Sequence, residues 1–210
     1  MNPDAFDWNV VIVGFWNRAI LTPAGIGRRL FNLEEGTPVL VEVPMDGLAP
    51  PRVKNEGLTV TTELGRLVIG ADDPQYDVLD RARAIAVTAI ESLPETPLTA
   101  VGFNVRFRVD EPSDGLLDIT SCELDALLSD AAFVIKERSL KRALTWKEGI
   151  LNLSINQGEK VVIELNFHRQ SSKKDELVTW LKYPIADVKE TIDKLLEKVM
   201  SISSGEIKND

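Results

Sequence analysis

Residues 98–109 constrain the fold more than any other stretch. Val101, Phe103, Val105, Phe107 and Val109 take one phase, and Asn104, Arg106 and Arg108 take the other. Successive side chains of a strand point to opposite faces. The alternation therefore predicts a half-buried strand with one apolar side and one polar side.

The same period recurs in a meander of three strands, 139–147, 149–156 and 160–169, with Asn156-Gln157-Gly158-Glu159 as its tighter turn. Leu151, Leu153, Ile155, Val161, Ile163, Leu165 and Phe167 share the apolar phase; Asn152, Ser154, Glu164, Asn166 and His168 share the polar one. Upstream, residues 9–16 form a short β-branched run, 38–44 a strand bounded by prolines, and 58–62 with 66–70 a hairpin. Helical spacing follows Thr22-Pro23 (Ile26, Leu30, Leu33) and Asp73-Pro74 (Val78, Ala82, Ile85, Ala89), the latter ending at Pro94. Thr120 and Glu123 make a capping-box pattern ahead of Leu124, Leu127, Leu128, Ala131 and Ile135. Pro184 opens a last helix with the stripe Val188, Ile192, Leu195, Leu196 and Val199. Residues 44–57 and the acidic stretch Asp110 to Asp118 read as loops. Phe103, Val105, Phe107, Leu153, Leu165 and Phe167 are the expected core, joined by the tryptophans Trp8, Trp16, Trp146 and Trp180 as core or edge residues.

Written in order, the elements repeat: strand, helix, three strands, helix, and then the same again from about residue 97. The expected fold is α+β, with a predominantly antiparallel sheet, helices on one face, and two such units in tandem. The first unit spans 1–96 and the second 97–202, sharing one continuous sheet and core, with 203–210 as a flexible tail. In element order alone, the doubled pattern is similar to TATA-box-binding-protein-like and sliding-clamp architectures. No motif accompanies that resemblance, and fold does not carry function.

Composition narrows the function classes. There are 24 Lys+Arg against 33 Asp+Glu, a formal charge of −9, which disfavours nucleic acid and anionic membrane as partners. Cys122 and His168 are the only cysteine and histidine, so no cysteine cage or histidine pair for a metal can form within one chain. No metal and no cofactor are expected. The opening Met-Asn-Pro-Asp-Ala-Phe-Asp lacks a basic n-region, and a cytoplasmic location is expected.

Individual segments offer weak chemistry. Gly25-Ile26-Gly27-Arg28-Arg29 lacks the third glycine of a dinucleotide loop and the Gly-Lys-Ser/Thr of a phosphate loop, and reads as a flexible turn with solvated arginines. Asp110-Glu111-Pro112-Ser113-Asp114-Gly115 fails a calcium loop at its third and twelfth positions, Pro112 and Ser121. Cys122 at a helix start could pair with His168 as nucleophile and base. A small buried residue capping a core helix is the preferred reading.

The polar strand phase is the strongest candidate. Asn104, Arg106, Arg108, Asn152, Glu164, Asn166 and His168 fall on shared faces if neighbouring strands pair, with Ser154 and Asn156 beside them. Asparagine is depleted in strands, and two arginines can grip a carboxylate. The plain alternative is a solvent face on which Arg106 or Arg108 pairs with Glu164. The expected function is a non-catalytic protein–protein interaction or assembly role (adaptor, inhibitor or complex subunit) through this face, with another protein or a second copy as partner. The second reading is a binder of small apolar ligands, with a pocket between the sheet and the long helix. An enzyme using scattered carboxylates is the third.

Overall fold

Two long strands of opposite direction lie side by side at the centre. In the computed structural model, which describes residues 3–45 and 49–202, β1 (Asp4–Gly14) pairs antiparallel with β6 (Leu98–Val109). Between and after them come α1 (Pro23–Arg29), β2 (Leu40–Glu42), β3 (Arg52–Asn55), β4 (Leu58–Glu63), β5 (Arg66–Ala71) and α2 (Tyr76–Ser92). The second half continues with α3 (Asp114–Thr120), α4 (Glu123–Asp130), β7 (Arg138–Trp146), β8 (Gly149–Gln157), β9 (Val161–Gln170), α5 (Lys174–Leu181) and α6 (Ile185–Lys194), which runs into a π-helical turn at Leu195–Val199. All nine strands join one sheet in the order β2-β3-β4-β5-β1-β6-β9-β8-β7, every neighbouring pair antiparallel.

The fold is α+β, with helices laid on the apolar face of an antiparallel sheet; the expected repeat holds only loosely, since the first half runs strand, helix, four strands, helix and the second runs strand, two helices, three strands, two helices. Phe103, Val105, Phe107, Leu153, Leu165 and Phe167 are all buried. Phe103 stacks on Phe167 with centroids 4.6 Å apart, and Trp180 of α5 and Trp146 of β7 close the cluster. All four tryptophans are buried, and the Trp146 indole donates to Thr191 at 3.0 Å. Arg83 of α2 lies in this core over the Phe103 ring, and its guanidinium donates to the carbonyls of Leu181 and Tyr183 at the end of α5. It thus ties the long helix of the first half to the last helices of the second.

Several details differ from the sequence reading. β1 begins at Asp4 rather than near residue 9, because a bulge interrupts its alternation. Phe6 pairs with Arg106 and Asn9 with Asn104, which leaves Asp7 in a left-handed conformation (φ 48°) and turns Trp8 into the core. The stretch 44–57 is not wholly a loop. Arg52–Asn55 forms β3 and buries Val53 between β2 and β4, so the first half has four strands after its helix rather than three; residues 46–48 lie outside the described residues. The acidic loop folds from Asp114 onward into α3, capped by the Ser113 hydroxyl. The expected tail 203–210 lies outside the described residues.

The largest correction concerns the helix after Thr120. No capping box forms: the Thr120 hydroxyl donates to the Leu117 carbonyl, and the N-cap position falls to Cys122. The helix α4 ends at Asp130 and buries none of its residues. Leu124 and Leu127 stand exposed, as do Phe133 and Val134 after it. No helix among the described residues is long and apolar enough to cross a membrane.

Candidate binding surface

The face opposite the helices carries the polar phase of the strands. Register fixes what meets there. One row runs Gly70, Asn9, Asn104, Asn166, Asn152, Ala143 across β5, β1, β6, β9, β8 and β7. Its four asparagines form a continuous ladder. Asn152 Nδ2 donates to Asn166 Oδ1 at 3.0 Å, Asn166 Nδ2 to Asn104 Oδ1 at 2.7 Å, and Asn104 Nδ2 to Asn9 Oδ1 at 2.7 Å. Asn9 in turn donates to the Asp7 carbonyl and carboxylate at 3.3 Å. Every donor points the same way, from the second half toward the first. A primary amide has two N–H groups and two acceptor lone pairs. In the ladder Asn104 and Asn166 each spend one of each on their neighbours.

The adjacent row holds the charges. Arg106 faces Glu164 in register and donates to its carboxylate at 3.0 Å. From the other side it takes the carboxylate of Asp7, which the bulge in β1 has turned toward it. Arg108 pairs with Asp4 at 2.8 Å, lies 4.0 Å from Asp110, and sits over the Phe6 ring. The hydrogen bond from Lys160 lowers the pKa of Asp110 from its ordinary value. The pair of arginines expected to grip a partner's carboxylate is thus already bound by the chain's own acids.

His168 occupies a third row, between Gly102 of β6 and Ile150 of β8. It is half-buried, and burial lowers its imidazole pKa below the ordinary 6.5. Gly102 is required beside it, because a Cβ there would meet the Phe167 carbonyl at 2.7 Å. On the outer strands, Asn156 donates to Ser154 and accepts from Ser139.

All seven predicted residues, Asn104, Arg106, Arg108, Asn152, Glu164, Asn166 and His168, therefore share one sheet face. Sequence reasoning missed Asp4, Asp7 and Asn9, which complete the ladder and the ion pairs. Asn9 was detectable as another asparagine at the mouth of an apolar strand. Asp7 was not, because its role depends on the bulge. Where β5 offers Gly70 to the ladder's first-half end, the surface falls into a hollow of about 310 Å³ lined by Asn9, Arg52, Lys54, Thr59 and Asp72 among others.

The other segments resolve differently. The Gly25–Arg29 stretch is helix, not turn: Thr22 caps it, Gly27 packs against Val39, and a Cβ on Gly25 would strike the Ile20 carbonyl at 2.0 Å. Its arginines are exposed. Cys122 is exposed rather than buried, with Sγ 3.8 Å from Asp125, and no hydrogen bond joins it to His168. Among the described residues no cluster of His, Cys, Asp and Glu could hold a metal ion. No protein-family model, no curated protein and no solved structure matches the chain.

Proposed function

We propose that this protein is a binding or assembly protein (an adaptor, inhibitor or complex subunit) that docks another protein on the polar face of β1, β6, β9 and β8. The asparagine ladder is the observation that supports this reading. Four adjacent strands present amides in one register row, although asparagine is unfavourable in strands. The inner two keep an N–H and a lone pair beyond those their neighbours use. A face that only met water would be served by Thr, Lys and Glu. Because Arg106 and Arg108 are neutralised by Asp4, Asp7 and Glu164, recognition here rests on neutral hydrogen bonds and responds weakly to salt.

The test is position-specific photo-crosslinking in the native cell extract. The crosslinker replaces Ile150, which is 45% exposed beside His168, or Lys189, exposed on α6. A protein adduct is expected from position 150 and not from 189. It should disappear in an Asn104→Leu, Asn166→Leu variant that retains its far-UV circular dichroism. Equal adducts from both positions, no adduct at 150, or an adduct indifferent to the substitutions would overturn the reading.

A further inference from the structure

The two ends of the sheet are built differently. β2, at one end, has three residues between Pro38 and Pro44. Short strands and prolines are ordinary means of closing an edge to pairing. β7, at the other end, runs for nine residues and, among the described residues, has no strand on its outer side. Lys141 to Thr145 are exposed in succession. Arg142 Nη1 donates to the Lys141 carbonyl at 2.8 Å, which identifies that carbonyl as one facing away from β8. In an antiparallel ladder the N–H and C=O of one residue point to the same side, and alternate residues point oppositely. Residues 139, 141, 143 and 145 therefore turn their backbone groups outward. The two-residue turn Lys147-Glu148 agrees, since its closing pair Trp146 and Gly149 takes the opposite parity.

The side chains of this edge are basic in an acidic protein. Lys136, Lys141 and Arg142 have no carboxylate partner among the described residues, whereas Arg138 is taken by Asp125 and Lys147 by Asp187. Lys141 and Arg142 are adjacent, so they stand on opposite faces of the sheet. Leu140 and Leu144 flank Arg142 on the helix side, and Leu144 is 36% exposed. A second copy is a poor occupant. Antiparallel pairing of β7 with itself about its middle would set Arg142 against Arg142, and like charges directly opposite are destabilising.

We infer that β7 is a docking edge for an extended acidic segment of another protein, which adds as a tenth strand. Its backbone bonds residues 139, 141, 143 and 145, as in other strand additions. Two consecutive Asp or Glu residues meet Lys141 and Arg142, one on each face, and apolar residues on either side of them meet Leu140 and Leu144. Binding displaces Arg142 from the Lys141 carbonyl, which frees that oxygen for the incoming amide. This edge is separate from the asparagine face, and the inference does not depend on the function proposed for that face.

The test uses the full chain and a fluorescein-labelled peptide with the core Val-Thr-Glu-Glu-Val, against the same peptide with Lys-Lys at its centre. Fluorescence anisotropy at low salt should show binding of the acidic peptide alone. Hydrogen exchange should slow at the amides of residues 141, 143 and 145. Lys141→Glu with Arg142→Glu should weaken the acidic peptide by about tenfold or more, a loss of about 1.4 kcal/mol, and should create binding of the Lys-Lys peptide. Ala143→Pro removes an outward N–H without touching the ladder to β8, and should abolish both. The inference fails if the wild type does not bind the acidic peptide, if Ala143→Pro leaves binding intact, or if charge reversal does not exchange the preference. It also fails if the wild type dimerises through β7, so that a second copy occupies the edge.

Discussion

Each half of the sheet runs from a central strand through helix and further strands to a closing helix, but the two halves differ in what they bury and expose. In the first half, the helix after the central strand is buried: α1 sinks Ile26 and Gly27 and meets β3. In the second, two short helices stand at that place: α3 buries Leu116 and meets β7 and β8, whereas α4 buries nothing. The polar face shows the same asymmetry. Along one row the second half sets Asn166 and Asn152 outward from Asn104, whereas the first half sets Gly70 and Thr59 outward from Asn9. Along the next row His168 stands where the first half has Val68. The amide ladder therefore crosses the centre of the sheet and stops at β1. Both halves share what the core demands, namely apolar residues at period two. The faces and edges carry no such demand and are where the halves part. The first half has Gly70, Thr59 and Val68 at these positions and a short edge strand; the second is amide-rich there and has a long basic edge.

Loss of a core aromatic should have the largest effect. Phe103→Ala removes the ring on which Phe167, Trp180 and Arg83 converge, and should cost about 3–5 kcal/mol, as for other buried aromatics. A thermal melt within a degree of wild type would show that the aromatic cluster does not hold the second half. The buried α1 and the exposed α4 give the next test. Ile26→Ala in α1 should cost about 2–4 kcal/mol, because the side chain is buried. Leu127→Ala in α4 should change stability by less than about 0.5 kcal/mol, since that side chain is 65% exposed. Denaturant titrations giving equal losses would mean that α4 is packed after all.

Much of this was legible in the sequence, and the reason is physical. Strands such as β6, β8 and β9 have one face against the core, so a slip of one residue would reverse every side chain. Their register is thus written into the alternation of Phe103, Leu153 and Phe167 with Asn104, Asn152 and Asn166. β3 was illegible because four residues, Arg52 to Asn55, give only one buried position, Val53. The stripe of Leu124 and Leu127 looked like a core helix because periodicity reports amphipathicity and not whether a partner is present. The ladder was legible as a row of residue types. Its direction and its Asp7 terminus were not, because both depend on a bulge that no local signal marks.

The ladder itself separates its middle from its end. Asn104→Ala leaves Asn166 without an acceptor and Asn9 without a donor, both in half-buried or buried surroundings. The expected loss is about 1–3 kcal/mol. Asn152→Ala, at the exposed end, removes one outer bond and should cost under about 1 kcal/mol. Equal losses in urea unfolding would indicate independent bonds to water rather than a connected row.

The smallest expected effect is the pH response of His168, and it follows from the same asymmetry. Burial lowers the pKa of this imidazole in the folded protein below its ordinary value of 6.5. The unfolded chain then binds a proton more readily than the folded one. Folding stability from this group is fully present above pH 6.5 and is lost as the pH falls through 6.5 toward the lower folded value. A carboxylate whose pKa is depressed by folding gives a similar acid loss at lower pH; Glu176, held down by hydrogen bonds from Lys173, Ser171 and Arg169, has its pKa lowered to about 2. Melting temperatures compared between about pH 8 and pH 5.5 therefore isolate the histidine, the one side chain whose ordinary pKa falls in that window. His168→Val copies onto the second half the residue that the first half carries at Val68. The variant should lose the decline in melting temperature across that window while the wild type retains it. A decline of the same size in both proteins would place its cause outside the third row, and the open face of the second half would then have no titrating group of its own.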